Sequence, residues 1–316
     1  MREVAEVALK ALLVAVPLVA GAVDAASPAA AAQAADLSSG YGAERQLPNL
    51  TPLNFFTEGW KQAWASDGGF ATTRRYTPDM ALLRVTTNFM ERELRFDYVY
   101  TNVAENAKLD NTQLGDALIA YGLNRRLMVE VIGSYQWNVA PNGSTTNGGV
   151  GAFYARLQLV DTPGQSYAFQ MKLIPPNKGL GQTQTTLGYV LTGWQDVHEI
   201  VPALGRCGLY YSFEYDNLQG LAKAGTTRNS ISYDVSLAET WTPHETPVLG
   251  NFTTFVEFYA TTPLDGTANG KTSFWITPAI RFWFLPQNSF TFGVDLQVSH
   301  YPTSPEVYRV NYIYNF

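Results

Sequence analysis

The chain has 316 residues and a formal charge of −6, from 21 Lys+Arg and 27 Asp+Glu, with no basic block. That balance argues against a nucleic-acid partner. A single cysteine, Cys207, excludes an internal disulfide framework and a multi-cysteine metal site, and the 3 histidines lack the four-residue helical spacing of a zinc pair, so no cofactor is expected.

Residues 1–34 read as a secretory signal. Arg2 and Lys10 flank a modestly basic start, ALLVAVPLVAGAV is too short and too rich in small residues for a comfortable spanning helix, and Ala32-Gln33-Ala34 fits a small-x-small cleavage site. An alanine-rich helix or a retained anchor are the alternatives. Beyond residue 23 no apolar stretch reaches the ~18 residues a spanning helix needs.

Residues 35–80 form a separate irregular segment with turn formers, paired aromatics and no sustained alternation. Phe55, Phe56, Trp60 and Trp64 are costly to leave in water, and the two tryptophans stand one helical turn apart. They are expected to plug the domain C-terminal to them or to line its entrance. ALLRVTTNF, residues 81–89, reads as an extra strand or as an extension of the first.

From residue 93 the pattern has period two, strand after strand. Leu94, Phe96, Tyr98 and Tyr100 oppose Arg95 and Asp97; Val129, Val131, Tyr135 and Trp137 oppose Glu130, Ser134 and Gln136. Phe153, Ala155 and Leu157 oppose Arg156 and Gln158; Tyr167, Phe169, Met171 and Leu173 oppose Gln170 and Lys172. Leu209, Tyr211, Phe213 and Tyr215 oppose Ser212, Glu214 and Asp216; Tyr233, Val235 and Leu237 oppose Asp234 and two serines; Phe290, Phe292 and Val294 oppose Thr291 and Asp295. Twelve strands are predicted, near 93–102, 114–123, 126–138, 148–160, 166–174, 184–196, 206–216, 228–239, 252–261, 272–283, 289–299 and 307–316. Tight breaks at Asn124-Arg125, Pro163-Gly164 and Pro286-Gln287 all come after even-numbered strands, while APNGSTTNGGV, NLQGLAKAGTTR and TPLDGTANGKT are long breaks on the other side. The breaks near 197–205 and 240–251 should be short on this scheme and are not.

A soluble sandwich shares the alternation. Large aromatic faces on nearly every strand, the short and long breaks and the signal favour an all-β fold: a transmembrane antiparallel up-and-down β-barrel of about twelve strands over residues 81–316, preceded by an irregular segment. The chain ends VYRVNYIYNF, with Tyr312, Tyr314 and Phe316 on one face. Such an aromatic-ended final strand resembles the sorting signal of bacterial outer-membrane proteins, which implies the barrel-assembly machinery as a partner. Arg95, Asp97, Glu130, Arg156, Lys172, Glu214, Asp234, Glu257, Arg281, Asp295 and Arg309 are then the expected lumen lining, paired with one another or setting selectivity.

The stretch LGDALIAYGLNRRLMVEVIGSY (114–135), with Gly115-Asp116 and Tyr121-Gly122-Leu123, resembles the outer-membrane family of the MetA pathway of phenol degradation. Weaker echoes are LGYVLTGW, RNSISYDVSLAE and SFWITPAIRFWF. The resemblance covers about residues 80–316 and implies a transporter, with aromatic compounds among its solutes. The family's Lys-Leu-Pro-Thr-Gly strand end departs here to Lys172-Leu173-Ile174-Pro175-Pro176.

Enzymatic motifs fail. GTANGKT (266–272) has three residues where a P-loop needs four, and lies between strands with no helix after it. A barrel lipid hydrolase resembling the twelve-strand phospholipases needs Ser two residues after its His, and His198, His244 and His300 all lack it. The expected protein is therefore a monomeric outer-membrane channel, surrounded by lipid, for passive passage of small solutes, apolar or aromatic ones included. The rival readings are a lipid-modifying hydrolase and a structural or adhesion barrel without a pore.

Overall fold

The computed structural model describes residues 48–61, 83–86, 89–90, 92–102, 111–140, 143–162, 164–180, 182–197, 201, 207–220, 225–242, 246–285, 287–299 and 307–316. It contains twelve strands: β1 (Arg92–Asn102), β2 (Asn111–Gly122), β3 (Leu127–Ala140), β4 (Gly143–Asp161), β5 (Gln165–Ile174), β6 (Thr186–Asp196), β7 (Cys207–Leu218), β8 (Asn229–Thr240), β9 (Gly250–Pro263), β10 (Ser273–Leu285), β11 (Asn288–Gln297) and β12 (Val307–Asn315). Each pairs antiparallel with its sequence neighbours, and β12 closes on β1 from Glu93↔Asn315 to Thr101↔Val307. Closure is what lipid demands, because an open edge would leave a row of backbone groups unpaired where no water can reach them. Among the described residues no helix is long and apolar enough to cross a membrane.

The two faces of each strand separate as the alternation requires. Outward go Phe96, Tyr135, Trp137, Leu191, Phe213 and Tyr233, with Leu191 53% and Phe213 47% exposed. Inward go Glu130, Arg156, Gln170, Asp234, Glu257, Thr277 and Asp295, with Glu257 and Asp295 at 0%. A soluble sandwich would bury the first set and wet the second; here the order is reversed, as in a barrel that meets lipid outside and a polar interior within. The aromatics form a continuous outer surface. Phe290 packs 5.0 Å from Phe284 and 5.3 Å from Tyr312, and Tyr312 stacks 6.2 Å from Phe96 across the closing seam.

Three expectations change. The stretch APNGSTTNGGV, residues 140–150, is no long loop: β3 and β4 pair within it, with Ala140 opposite Gly143 and Trp137 opposite Thr146, so only 141–142 lies between the strands. Its Gly, Ser and Thr residues read as loop, yet cross-strand pairing holds them in the ladder. Nor do the described residues of 81–89 lengthen the first strand. β1 begins at Arg92, and the described residues Leu83–Thr86 and Phe89–Met90 lie inside the barrel. Finally, Phe55, Phe56 and Trp60 do not plug the lumen; they lie at its short-turn end, which leaves the entrance reading standing. Their segment packs across the short-turn end, where Leu50 makes a two-way backbone bridge with Asp161 and Phe55 lies 4.9 Å from the Arg126 guanidinium. Trp60 donates to the Phe55 carbonyl at 2.6 Å, and Phe56 is 89% exposed. The physical reason is Arg126 itself. Fully buried on the β2–β3 turn, it needs acceptors, and the segment offers the carbonyls of Thr51 and Glu58 and the Asn54 side chain. Trp64, the signal of residues 1–34 and the three histidines lie outside the described residues.

Candidate functional site: the lumen and its inner strap

All eleven lumen residues expected from the sequence sit on strands at inward-facing register positions. They fall into connected groups. Arg156 on β4 pairs with Glu130 on β3 at 2.7 Å, bonds Gln170 on β5 at 3.2 Å, and donates to the Phe89 carbonyl at 2.5 Å. Lys172 on β5 bridges Glu214 and Asp216 on β7, the second at 2.9 Å. Ser212 donates to Asp234 at 2.5 Å. Arg95 meets Asp97 at 2.8 Å, and Asn311 on β12 donates to the same carboxylate. Asp295 on β11 accepts from Arg309 at 2.7 Å and from Thr277 at 2.7 Å. Arg281 lies 5.2 Å from the Trp283 ring. Taking such charges out of bulk water is costly, and cross-strand pairing is what makes the polar interior tolerable.

The strap formed by Leu83–Thr86 and Phe89–Met90 is a lumen element that the sequence does not announce, and the wall is built to receive it. Both oxygens of Glu257 take its backbone: Oε1 accepts from the N–H of Leu83 at 3.0 Å, Arg84 at 3.3 Å and Val85 at 3.4 Å, and Oε2 from Arg84 at 3.1 Å. The Arg84 side chain reaches Asp295 at 2.5 Å and lies over the rings of Tyr259 (4.7 Å) and Trp275 (5.0 Å). Lower down, Val85 and Phe89 pack into an apolar cluster with Trp194, Tyr210, Ala238, Phe255 and Ala279, and Phe89 makes edge contacts with Trp194 and Tyr210 at 6.0 and 6.3 Å. Gly293 completes the seat: a Cβ there would collide with Leu83 Cδ1 and stand 3.2 Å from the Pro278 carbonyl. Beside the strap a cavity of about 150 Å³ is lined by Leu83, Asp97, Leu114, Asp116 and Arg309, among others.

Sequence reasoning missed Arg84, Asp116, Tyr259, Trp275, Trp194, Tyr210 and Phe255. One signal was available. Val190 and Trp194 on β6, and Tyr210 on β7, share the inward parity of Thr192 and Ser212, and apolar residues on a polar wall report something apolar inside it. The described residues contain no group of three or more His, Cys, Asp or Glu placed to hold a metal ion.

A closed twelve-strand barrel with an aromatic outer wall and a charged inner one has the fold of bacterial outer-membrane porins and channels. No family model matches the chain, and no curated protein does, so the family suggested by residues 114–135 stays a resemblance. Solved structures are similar in architecture. The COG4313 outer membrane channel from Pseudomonas putida F1 gives a TM-score of 0.53 at 10% identity, over 75% of this chain and 100% of that one. The NanC porin gives 0.49 at 9% identity, over 71% and 100%, and the CymD monoaromatic hydrocarbon channel 0.42 at 8%, over 72% and 89%. At these identities the first of them speaks to fold alone.

Proposed function

We propose that this barrel is a passive outer-membrane channel for small solutes, acting as a monomer, with its bore set by the inner strap. The observation that carries the reading is the inner wall, where ionised and hydroxyl side chains from the strands are held in cross-strand pairs around an interior that also contains aromatic surface. A barrel that only needed to be stable could fill its interior with side chains alone, whereas this one admits a separate strap, anchored at Glu257 and Asp295. The inward carboxylic groups of Glu93, Asp97, Asp116, Glu130, Asp196, Glu214, Asp216, Asp234, Glu257 and Asp295 outnumber the inward cations Arg95, Arg156, Lys172, Arg281, Arg309 and Arg84, so the described lining is richer in acidic than in basic groups. It favours neutral and cationic solutes over anions. The inward rings of Trp275 and Trp283 suit aromatic solutes, in keeping with the family resemblance. Residues 1–34 would direct export, and Tyr312, Tyr314 and Phe316 would be read during barrel assembly.

Liposome swelling with neutral, cationic and anionic solutes of graded size tests the channel. Small neutral and cationic solutes are expected to enter faster than anions of equal size. A folded, heat-modifiable barrel that passes none of them removes the proposal. It would favour the rival that the packed cluster around Phe89 supports, a barrel with a structural or adhesive role and no pore.

A further inference from the structure

Arg84 occupies something that has the form of a binding site. Tyr259 and Trp275 stand directly opposite each other across β9 and β10, both facing inward, and the guanidinium lies over both rings at 4.7 and 5.0 Å. Asp295, 0% exposed, meets one edge of it at 2.5 Å, and Glu257, also 0% exposed, holds the backbone that delivers it. Two aromatic faces with a desolvated carboxylate are the elements that recognise organic cations, because the ring quadrupoles and the anion attract the same positive charge. The present occupant fits incompletely. Arg84 bonds Asp295 through Nη2, while its Nε is buried with no partner. It is also carried on a strap held by side-chain contacts, whereas the wall of the box is part of the barrel ladder.

We propose that the Tyr259–Trp275–Asp295 box is a binding site for small solutes bearing a guanidinium or ammonium group, and that Arg84 is a built-in occupant which such a solute displaces. The solute competes for the rings and for the carboxylate edge, and strap and box separate as it does so. Binding in the box does not need the pore; that the bound cation is a transported solute rests on the channel reading above.

The test uses the full chain in detergent, with equilibrium binding of ethylguanidinium, tetramethylammonium and the uncharged isostere ethylurea. Arg84→Ala uncovers both rings and one edge of Asp295, which keeps its Arg309 partner, and is expected to bind the two cations at least about tenfold more tightly than the wild type, with no gain for ethylurea. Arg84→Lys refills the box and should restore the weak wild-type binding. Arg84→Ala/Trp275→Leu should lose the gain, and heat-modifiability on gels checks that each variant is a folded barrel. Equal binding of ethylguanidinium and ethylurea by Arg84→Ala overturns the inference, as does a gain that survives Trp275→Leu. Potassium chloride conductance of the same preparations in planar bilayers reads the channel separately. Cation binding without conductance keeps the box and removes the channel; conductance without cation binding does the reverse.

Discussion

Glu257 shows how much a single side chain decides here. It lies on the inward face of β9, and its two oxygens accept three successive backbone N–H groups from a segment more than 170 positions away in sequence. A buried donor left without an acceptor costs about 1–3 kcal/mol, so removing one oxygen acts directly on the strap. Glu257→Gln keeps the shape but turns an N–H₂ toward those donors. Native-state amide exchange at Leu83, Arg84 and Val85 is expected to quicken by about tenfold or more, with the β9 and β10 ladder unchanged. Unchanged protection at all three amides would mean that the strap is held by its apolar cluster and not by the carboxylate.

At the scale of elements, the two ends of the barrel are pinned by different devices. At the short-turn end Arg126 ties the β2–β3 turn to the end of β4, through the Gln158 and Leu159 carbonyls at 3.0 Å each, and to the 48–61 segment. Arg126→Ala removes these bonds together. The segment should detach while the strands stay closed, so trypsin should cut after Lys61 faster without loss of the heat-modifiable barrel. A cleavage rate equal to the wild type would show that Leu50 and its bridge to Asp161 suffice. At the other end Asp265, in the β9–β10 loop, accepts from the Arg228 N–H at 2.5 Å and the Asn229 N–H at 3.2 Å, joining two loops. The Arg228 N–H, working against desolvation and aided by Asn229, holds the Asp265 carboxyl below its ordinary 3.8. A depressed folded value means that this tie is present above pH 3.8 and is lost as pH falls through the folded value. An NMR titration should place the Asp265 midpoint below 3.8, with the Arg228 amide shift tracking it and the effect absent in Asp265→Asn. A midpoint at or above 3.8 contradicts the assignment.

For the whole molecule the governing fact is which wall meets which medium. Val235 is central on β8, faces outward and is 43% exposed. An arginine at the bilayer midplane costs a barrel about 2–4 kcal/mol, and Val235→Arg should lower stability in lipid vesicles by that amount in chemical denaturation. The same change in a protein that kept Val235 in an aqueous surface would be close to neutral, so a small effect would overturn the membrane orientation and the lumen with it.

The strands and their faces were legible because period-two alternation is local: each residue's side of the sheet is decided by its parity, and the contrast between Tyr, Phe and Val on one side and Arg, Glu and Ser on the other needs no knowledge of the partner strand. The inward register of Arg95, Glu130, Arg156, Lys172 and Asp295 was readable for that reason. The strap was not. LRVTTNF has the composition of a strand, and what puts it inside is a set of acceptors and aromatic faces on β6, β7, β9, β10 and β11, far away along the chain and gathered only by closure. The inward tryptophans were hidden for a related reason. In SFWITPAIRFWF the inward parity mixes Trp275, Ala279 and Trp283 with Ser273, Thr277 and Arg281 against a wholly apolar outer face, so alternation marks the inside at Arg281 but gives no reason for tryptophans there until the strap is in place. Local parity therefore specified a twelve-strand wall and its two surfaces, and the contents of that wall were decided by contacts that exist only after the last strand meets the first.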